Sequence, residues 1–156
     1  MKHGSLAAAL IGAALFATAS LHGAQAEEAK PVIHVTKTPT CGCCALWSER
    51  ARAAGYPVIE TDMADYIAMK EAHGVPPKLR ACHSARVGGY VVEGHMPMEA
   101  LAKLLSDRPD IVGISVPGMP AGSPGMGDDP SARYSVYAWT KEGGQDRATV
   151  FYEAGR

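Results

Sequence analysis

Three of the four cysteines in this 156-residue chain, Cys41, Cys43 and Cys44, lie within four consecutive residues. The fourth, Cys82, follows later in the chain. Cysteine packs as a small apolar residue, but its thiolate chemistry usually decides where it is placed. Several thiolates directed at one point repel one another unless they oxidise or bind a cation, and soft sulfur ligands select monovalent copper, zinc or iron–sulfur clusters. The cluster therefore predicts thiolate chemistry at this point of the chain.

Three kinds of protein fit this pattern. In a metal-binding protein all four sulfurs are ligands, and thiolates shared among several Cu(I) ions tolerate such crowding better than zinc, whose structural sites usually draw paired cysteines from two separate segments. The spacing of Cys41 and Cys44 is also typical of a thiol-disulfide oxidoreductase with these two as the redox pair, although Cys43 adds a competing thiol. Two structural disulfides in an exported domain are the third possibility. We favour copper, keep zinc as the lesser alternative, and assign no catalytic residue.

Further candidate ligands lie near prolines and beside Cys82. Met119 and Met126 each follow a Pro-Gly pair, and a thioether is a good ligand for Cu(I). His83 directly follows Cys82, and on a regular strand the two side chains would point to opposite faces. His95 is expected to cap a helix or lie on the surface, because histidine is often simply polar surface.

The elements around the cysteines predict an α/β domain with the order β-α-β-α-β-β-α. Asp62 is the expected cap of the second helix, whose buried face would include Met63, Tyr66 and Ile67. Gly88 and Gly89 suit a two-residue hairpin turn, which requires positive φ at both positions. The predicted elements are strand 32–36, helix 43–54, strand 58–61, helix 64–72, strands 82–87 and 90–93, and helix 97–107.

This order predicts a thioredoxin- or glutaredoxin-like core, in which a right-handed β-α-β unit and a hairpin share a sheet covered by helices. In such a core a cysteine motif opens the first helix, and a proline, usually cis, precedes the third strand. Pro76 or Pro77 matches that proline. Beyond the core we expect a long irregular loop over 111–127, rich in Gly, Pro and Met, and then a terminal β-hairpin from strands 135–140 and 148–152.

The N-terminal residues have the pattern of a secretory signal peptide over 1–26, with cleavage after Ala26. Residues 27–156 would then form a single thioredoxin-like metal-binding domain. The apolar run over 6–19 is too short for a permanent span, so no membrane association is expected after cleavage. The net charge of −1 and the absence of a basic run predict no nucleic-acid binding.

Several motifs together resemble the exported CopG-type copper-resistance proteins, a thioredoxin-like family formerly described as a domain of unknown function. The motifs are Thr-Pro-Thr-Cys-Gly-Cys-Cys at 38–44, Gly-Val-Pro-Pro at 74–77, Ala-Cys-His at 81–83, Val-Gly-Gly-Tyr-Val-Val-Glu-Gly-His at 87–95, Val-Pro-Gly-Met-Pro at 116–120 and Gly-Ser-Pro-Gly-Met at 122–126. The resemblance implies a periplasmic protein that binds copper in copper resistance, with a proposed redox role. It implies Cys41, Cys43, Cys44 and Cys82 as ligands, and copper ions and other periplasmic copper-handling proteins as partners.

Overall fold

The computed structural model describes residues 29–141 and 148–155. Over these residues the chain forms a mixed α/β structure with one seven-stranded sheet and three α-helices. The predicted signal peptide over 1–26 lies outside the described residues. None of the helices in the described ranges is both long and apolar enough to cross a membrane.

In chain order the elements are β1 (Ile33–Lys37), α1 (Gly42–Ala53), β2 (Val58–Asp62), α2 (Tyr66–Ala72), a 3-10 turn (Pro77–Leu79), β3 (Ser84–Val87), β4 (Tyr90–Glu93), α3 (Met98–Asp107), β5 (Gly113–Ser115), β6 (Tyr134–Trp139) and β7 (Thr149–Ala154). The connections are short up to α3, and a long loop separates β5 from β6. The sheet order is β2-β1-β3-β4-β5-β6-β7; the β1–β2 and β4–β5 pairs are parallel and the other neighbours are antiparallel.

The main core packs buried residues of α1 and α3 against the sheet. Trp47 of α1 is fully buried, and its indole Nε1–H donates a hydrogen bond of 2.9 Å to the carbonyl oxygen of Met96. This bond joins α1 to the segment between β4 and α3.

The hairpin of β3 and β4 turns at Gly88 and Gly89. Their φ values are 57° and 93°, both positive as the sequence predicts.

The predicted loop over 111–127 is wrong in its first part, because β5 lies there. Gly113 of β5 lies so close to strand β4 that a Cβ atom on it would be 2.1 Å from the carbonyl oxygen of Val91. Glycine is therefore required by a close approach of two strands, where the sequence pattern suggested an irregular loop. The predicted terminal hairpin is confirmed in its strands, β6 and β7, and β6 pairs with β5 to extend the sheet.

The prediction for α2 is wrong in its cap and its buried face. Asp65 caps the helix by accepting a hydrogen bond of 2.9 Å from the Ala68 N–H, while Asp62 ends β2. Met69 and Lys70 form the buried face instead, while Ile67 is half exposed and Met63 lies before the helix and is exposed. No peptide bond in the described residues is cis, including those before the two prolines at 76 and 77.

Candidate metal centre

The first turn of α1 presents three of the four sulfurs. Cys41 is the N-terminal cap residue of this 12-residue helix, and its side chain makes no capping hydrogen bond. Cys43 and Cys44 follow within the first turn, where unpaired backbone N–H groups and the positive end of the helix dipole stabilise thiolates. Cys44 is fully buried, whereas Cys41 and Cys43 are partly exposed.

Cys82 approaches from a short irregular segment, Ala81–His83, between the 3-10 turn and β3. Ala81 forms an isolated parallel bridge with Gly118, and β3 begins only at Ser84. Because this segment is not a regular strand, the side chains of Cys82 and His83 lie on the same side, with Sγ and Nδ1 3.3 Å apart. The condition under which the two side chains would point to opposite faces, a regular strand, does not hold here, because β3 begins after His83.

The fold brings the four predicted cysteines together. All four Sγ atoms lie within 4.8 Å of one another. Cys41 and Cys44 form a disulfide, with their Cα atoms 5.3 Å apart, while Cys43 and Cys82 are free thiols. The third possibility, two structural disulfides, is thus wrong, because all four cysteines lie in the described residues and two of them are free thiols. A site with four thiolates requires reduction of this disulfide by two electrons.

The Cys82 thiol holds its proton strongly. Burial, followed by the neighbouring Cys43, raises the pKa of Cys82 to about 12, and the positive charge of Lys70 opposes this rise. A metal ion that binds this sulfur must therefore displace a proton, so that binding is coupled to pH.

His95 completes the surroundings of Cys82, and the expectation of a capping or surface role was wrong. Its side chain is fully buried, with Nε2 2.9 Å from the Cys82 Sγ atom and Nδ1 2.8 Å from the carbonyl oxygen of Pro124. Burial lowers the pKa of His95 and lowers that of His83 well below its usual range. Both rings are therefore neutral near pH 7 and able to act as ligands. These contacts join residues far apart in the sequence, so no local pattern predicted them.

A buried ion pair, which the sequence analysis missed, supports the Cys82 segment. Lys70 Nζ lies 2.7 Å from Glu93 Oε1, and both side chains are fully buried. Glu93 also accepts a hydrogen bond of 2.6 Å from the Ala81 N–H and a short one from the Ser84 hydroxyl. Burial lowers the pKa of Lys70 and raises that of Glu93, and their mutual attraction opposes both shifts. Glu93 therefore holds the chain on both sides of Cys82 and His83. The sequence feature that could have indicated this ion pair is Glu93, a glutamate in the otherwise apolar strand β4.

The loop after β5 covers the first turn of α1. A Cβ atom at Gly125, where φ is +81°, would lie 2.8 Å from the Cys43 carbonyl oxygen, so only glycine allows this approach. Asp128 accepts two hydrogen bonds of 2.9 Å from Arg50 of α1. The structure places Met119 on this loop with 54% of its surface exposed, and Met126 is partly buried.

Comparison with known proteins agrees with this centre. The family model "Protein of unknown function, DUF411" matches residues 79–126. No curated protein sequence matches the chain. Two solved structures match, and both are of copper resistance protein CopG. Form 2 is 40% identical with a TM-score of 0.71, and the match covers 80% of this chain and 98% of that one. Form 1 is 39% identical with a TM-score of 0.72, and the match covers 81% of this chain and 99% of that one. This chain, with its cysteine cluster, therefore belongs to the CopG family of copper resistance proteins.

Proposed function

We propose that this protein binds Cu(I) in the periplasm as part of copper resistance, with Cys41, Cys43, Cys44 and Cys82 as ligands. The observation that carries the proposal is the convergence of four Sγ atoms within 4.8 Å, three from one helix turn and one from a distant segment. Copper is the protein's cargo. Met119 and Met126 are proposed as additional thioether ligands at the loop.

The choice of copper rests on the donors and their layout. An all-sulfur set favours soft monovalent copper or zinc over hard cations. Three sulfurs on one helix turn leave little room to surround a single ion tetrahedrally, whereas thiolates that bridge several Cu(I) ions make use of such crowding. The two similar solved structures are copper resistance proteins. Zinc is the lesser alternative.

The fold and location belong to the same proposal. The part of the sheet with order β2-β1-β3-β4, with α1 connecting the parallel pair β1 and β2, is consistent with a thioredoxin-like core. Residues 1–26 would direct export, and other periplasmic copper-handling proteins would deliver or receive the ions. An exported thiol cluster needs a bound metal or a reductant to stay reduced, because thiols outside the cytoplasm tend to form disulfides.

The test is an anaerobic titration of the reduced protein with Cu(I), followed by elemental analysis and thiol counting. We expect two or more copper ions per chain with all four thiols masked. Failure to bind Cu(I), or binding that leaves Cys82 freely reactive, would contradict the proposal. His34 is exposed, so the variant His34→Gln serves as a control that should leave the number of bound copper ions unchanged.

A second candidate function is thiol or copper oxidoreduction, favoured by the Cys41–Cys44 disulfide at the start of a helix. In this case the disulfide accepts two electrons and two protons from a dithiol, which becomes a disulfide, or one electron from each of two Cu(I) ions, which become Cu(II), with two protons from solvent. Steady-state turnover with a dithiol as the electron donor and Cu(II) as the electron acceptor tests it, with Cys44→Ser as the inactive variant. Equal rates for the variant and the original protein would exclude the pair as the redox centre.

A further inference from the structure

We propose that a cavity at the end of the sheet away from the cysteines binds a small organic carboxylate. The cavity has a volume of about 510 Å³, which lies within the range of small-molecule sites. Two cationic side chains, those of Lys30 and Arg108, line it together with apolar side chains. The inference goes beyond the proposed function and does not depend on copper.

The cavity lies where α1, α3 and the β3–β4 hairpin end. Tyr56 follows α1, Leu105 belongs to the last turn of α3, and Gly88 forms the hairpin turn. The cysteines lie at the other end of α1, and a helix of 12 residues is about 18 Å long. A molecule in the cavity would therefore not contact an ion at the cysteines.

The cavity is positively charged. Lys30 and Arg108 are the charged residues of its lining, and among the described residues neither forms an ion pair. Lys30 Nζ lies 4.7 Å from the centroid of the Tyr56 ring and donates a hydrogen bond of 2.5 Å to the Ala54 carbonyl oxygen. An ammonium group has three N–H donors, so these contacts hold it in place and leave donors for an anion.

Arg108 ends α3 in a backbone conformation that arginine rarely adopts. Its φ of 49° and ψ of 47° are left-handed, and glycine is the residue that usually ends a helix in this way. Because this conformation is unfavourable for a residue with a Cβ atom, the arginine side chain calls for a functional reason.

The Arg108 guanidinium is held at the cavity wall. Its central carbon lies 5.1 Å from the centroid of the Tyr90 ring, and Nη1 donates a hydrogen bond of 2.8 Å to the Gly88 carbonyl oxygen. This bond goes to the hairpin and not to the carbonyl groups that end α3, so helix capping does not account for it. A guanidinium has five N–H donors, and a carboxylate can accept two of them side by side.

The other walls explain why an organic anion fits better than an inorganic one. The ring of Tyr56 and the side chains of Ala102 and Leu105 are apolar surfaces of the lining. A Cβ atom at Gly88 would lie 2.8 Å from Leu105 Cδ2 and 3.0 Å from Arg108 Nη1, so glycine brings the apolar wall and the guanidinium together. A carboxylate on a short apolar body would contact both, whereas an inorganic ion would contact only the cations.

The test is a titration of the metal-free protein with benzoate, followed by NMR at the backbone amides of Tyr56 and Leu105. We expect saturable shifts at these amides, and much smaller shifts with benzamide, which has the same ring without the charge. Inorganic phosphate, which has charge without a ring, should bind more weakly than benzoate. The proposal is overturned if benzoate causes no shifts, if benzamide causes equal shifts, or if phosphate binds as tightly as benzoate.

Two variants assign the binding to the cations. Arg108→Gly removes the guanidinium and introduces a residue that adopts the left-handed conformation without strain, so the variant is expected to fold. It should weaken benzoate binding at least about 10-fold, the effect of losing a hydrogen bond to a charged group. Lys30→Gln, at an exposed position, should also weaken it. Lys103→Gln is the matched control on α3, because Lys103 pairs with Asp107 outside the cavity. Equal affinities for Arg108→Gly and Lys103→Gln would overturn the proposal.

Discussion

Two segments build the candidate metal centre in different ways. The first, residues 41–44, supplies three sulfurs through local helix geometry alone, and its cysteines at 41 and 43 are partly exposed. The second, Ala81–His83, supplies one sulfur, and remote buried groups hold it: Glu93 and Lys70 below it and His95 beside it. In the helix segment, Cys41 and Cys44 can change between a disulfide and a dithiol, and this chemistry is confined to residues 41–44. The Cys82 segment depends on charges that must remain buried and paired.

The comparison shows that ligand density and site rigidity come from different parts of the molecule. Helix geometry concentrates the sulfurs, but a disulfide can withdraw two of them. The buried ion pair contributes no ligand, yet it fixes the backbone on both sides of Cys82.

The largest expected effect is on stability, from breaking the support of the Cys82 segment. Glu93→Gln leaves the Lys70 ammonium buried without a counter-charge, and we expect a loss of about 3–5 kcal/mol in the free energy of unfolding. Urea denaturation of the metal-free protein measures this loss. The double variant Lys70→Met with Glu93→Leu should lose less than Glu93→Gln alone, because it removes both charges. A loss below about 1 kcal/mol for Glu93→Gln would show that the pair does not support the segment.

The second-largest expected effect is on the affinity for Cu(I), from removing a cysteine ligand. Cys82→Ser removes the one sulfur of the cluster that α1 and its cap do not supply and that His83 and His95 contact. We expect Cu(I) affinity in the reduced protein to fall by more than about 100-fold, beyond the range typical of groups that only orient ligands. Cys43→Ser is the matched control on the helix and should lose less, because Cys82 and the two imidazoles beside it stay in place. Chelator competition measures both affinities. Equal losses would mean that Cys82 has no special position.

The helix disulfide should have a smaller effect on folding. It closes a loop of only four residues, so loop-closure entropy predicts that reduction lowers the free energy of unfolding by about 2 kcal/mol. Denaturation of the oxidised and reduced forms tests this value. The double variant Cys41→Ser with Cys44→Ser should match the reduced form. A reduced protein that does not fold would contradict the view that this segment is a local switch.

The smallest effect should come from the exposed ion pair that ties the loop to α1. Arg50→Ala frees Asp128, which also accepts a hydrogen bond of 3.1 Å from the Gly125 N–H. We expect faster hydrogen exchange at Gly125 and an unchanged number of bound copper ions. Arg52→Ala, on the same helix but paired with Glu60, is the control and should not affect this amide. Loss of copper in Arg50→Ala would show that this ion pair is needed to position the loop for copper binding.

The features that the sequence predicted correctly are those that depend on residues close together in the chain. The cysteine spacing, the start of α1, the turn at Gly88 and Gly89, and the terminal strands depend on neighbouring residues, and the structure agrees with them. The sequence predictions were least accurate where burial overrides residue type. Lys70 is a surface residue by type, and Gly113 is a turn residue by type, yet packing buries the first and brings two strands together at the second.

By itself, the sequence determined that thiolates would concentrate at the start of a helix, because helix geometry and cysteine chemistry are properties of adjacent residues. The resemblance to the CopG-type proteins already implied Cys82 as a fourth ligand, but only the tertiary structure decided how Cys82 reaches the helix and that His95 and His83 stand beside it. Those contacts join residues that are distant in the chain, and the energy of burying Glu93, Lys70 and the imidazoles depends on the surroundings that the whole fold provides. No local pattern contains that information.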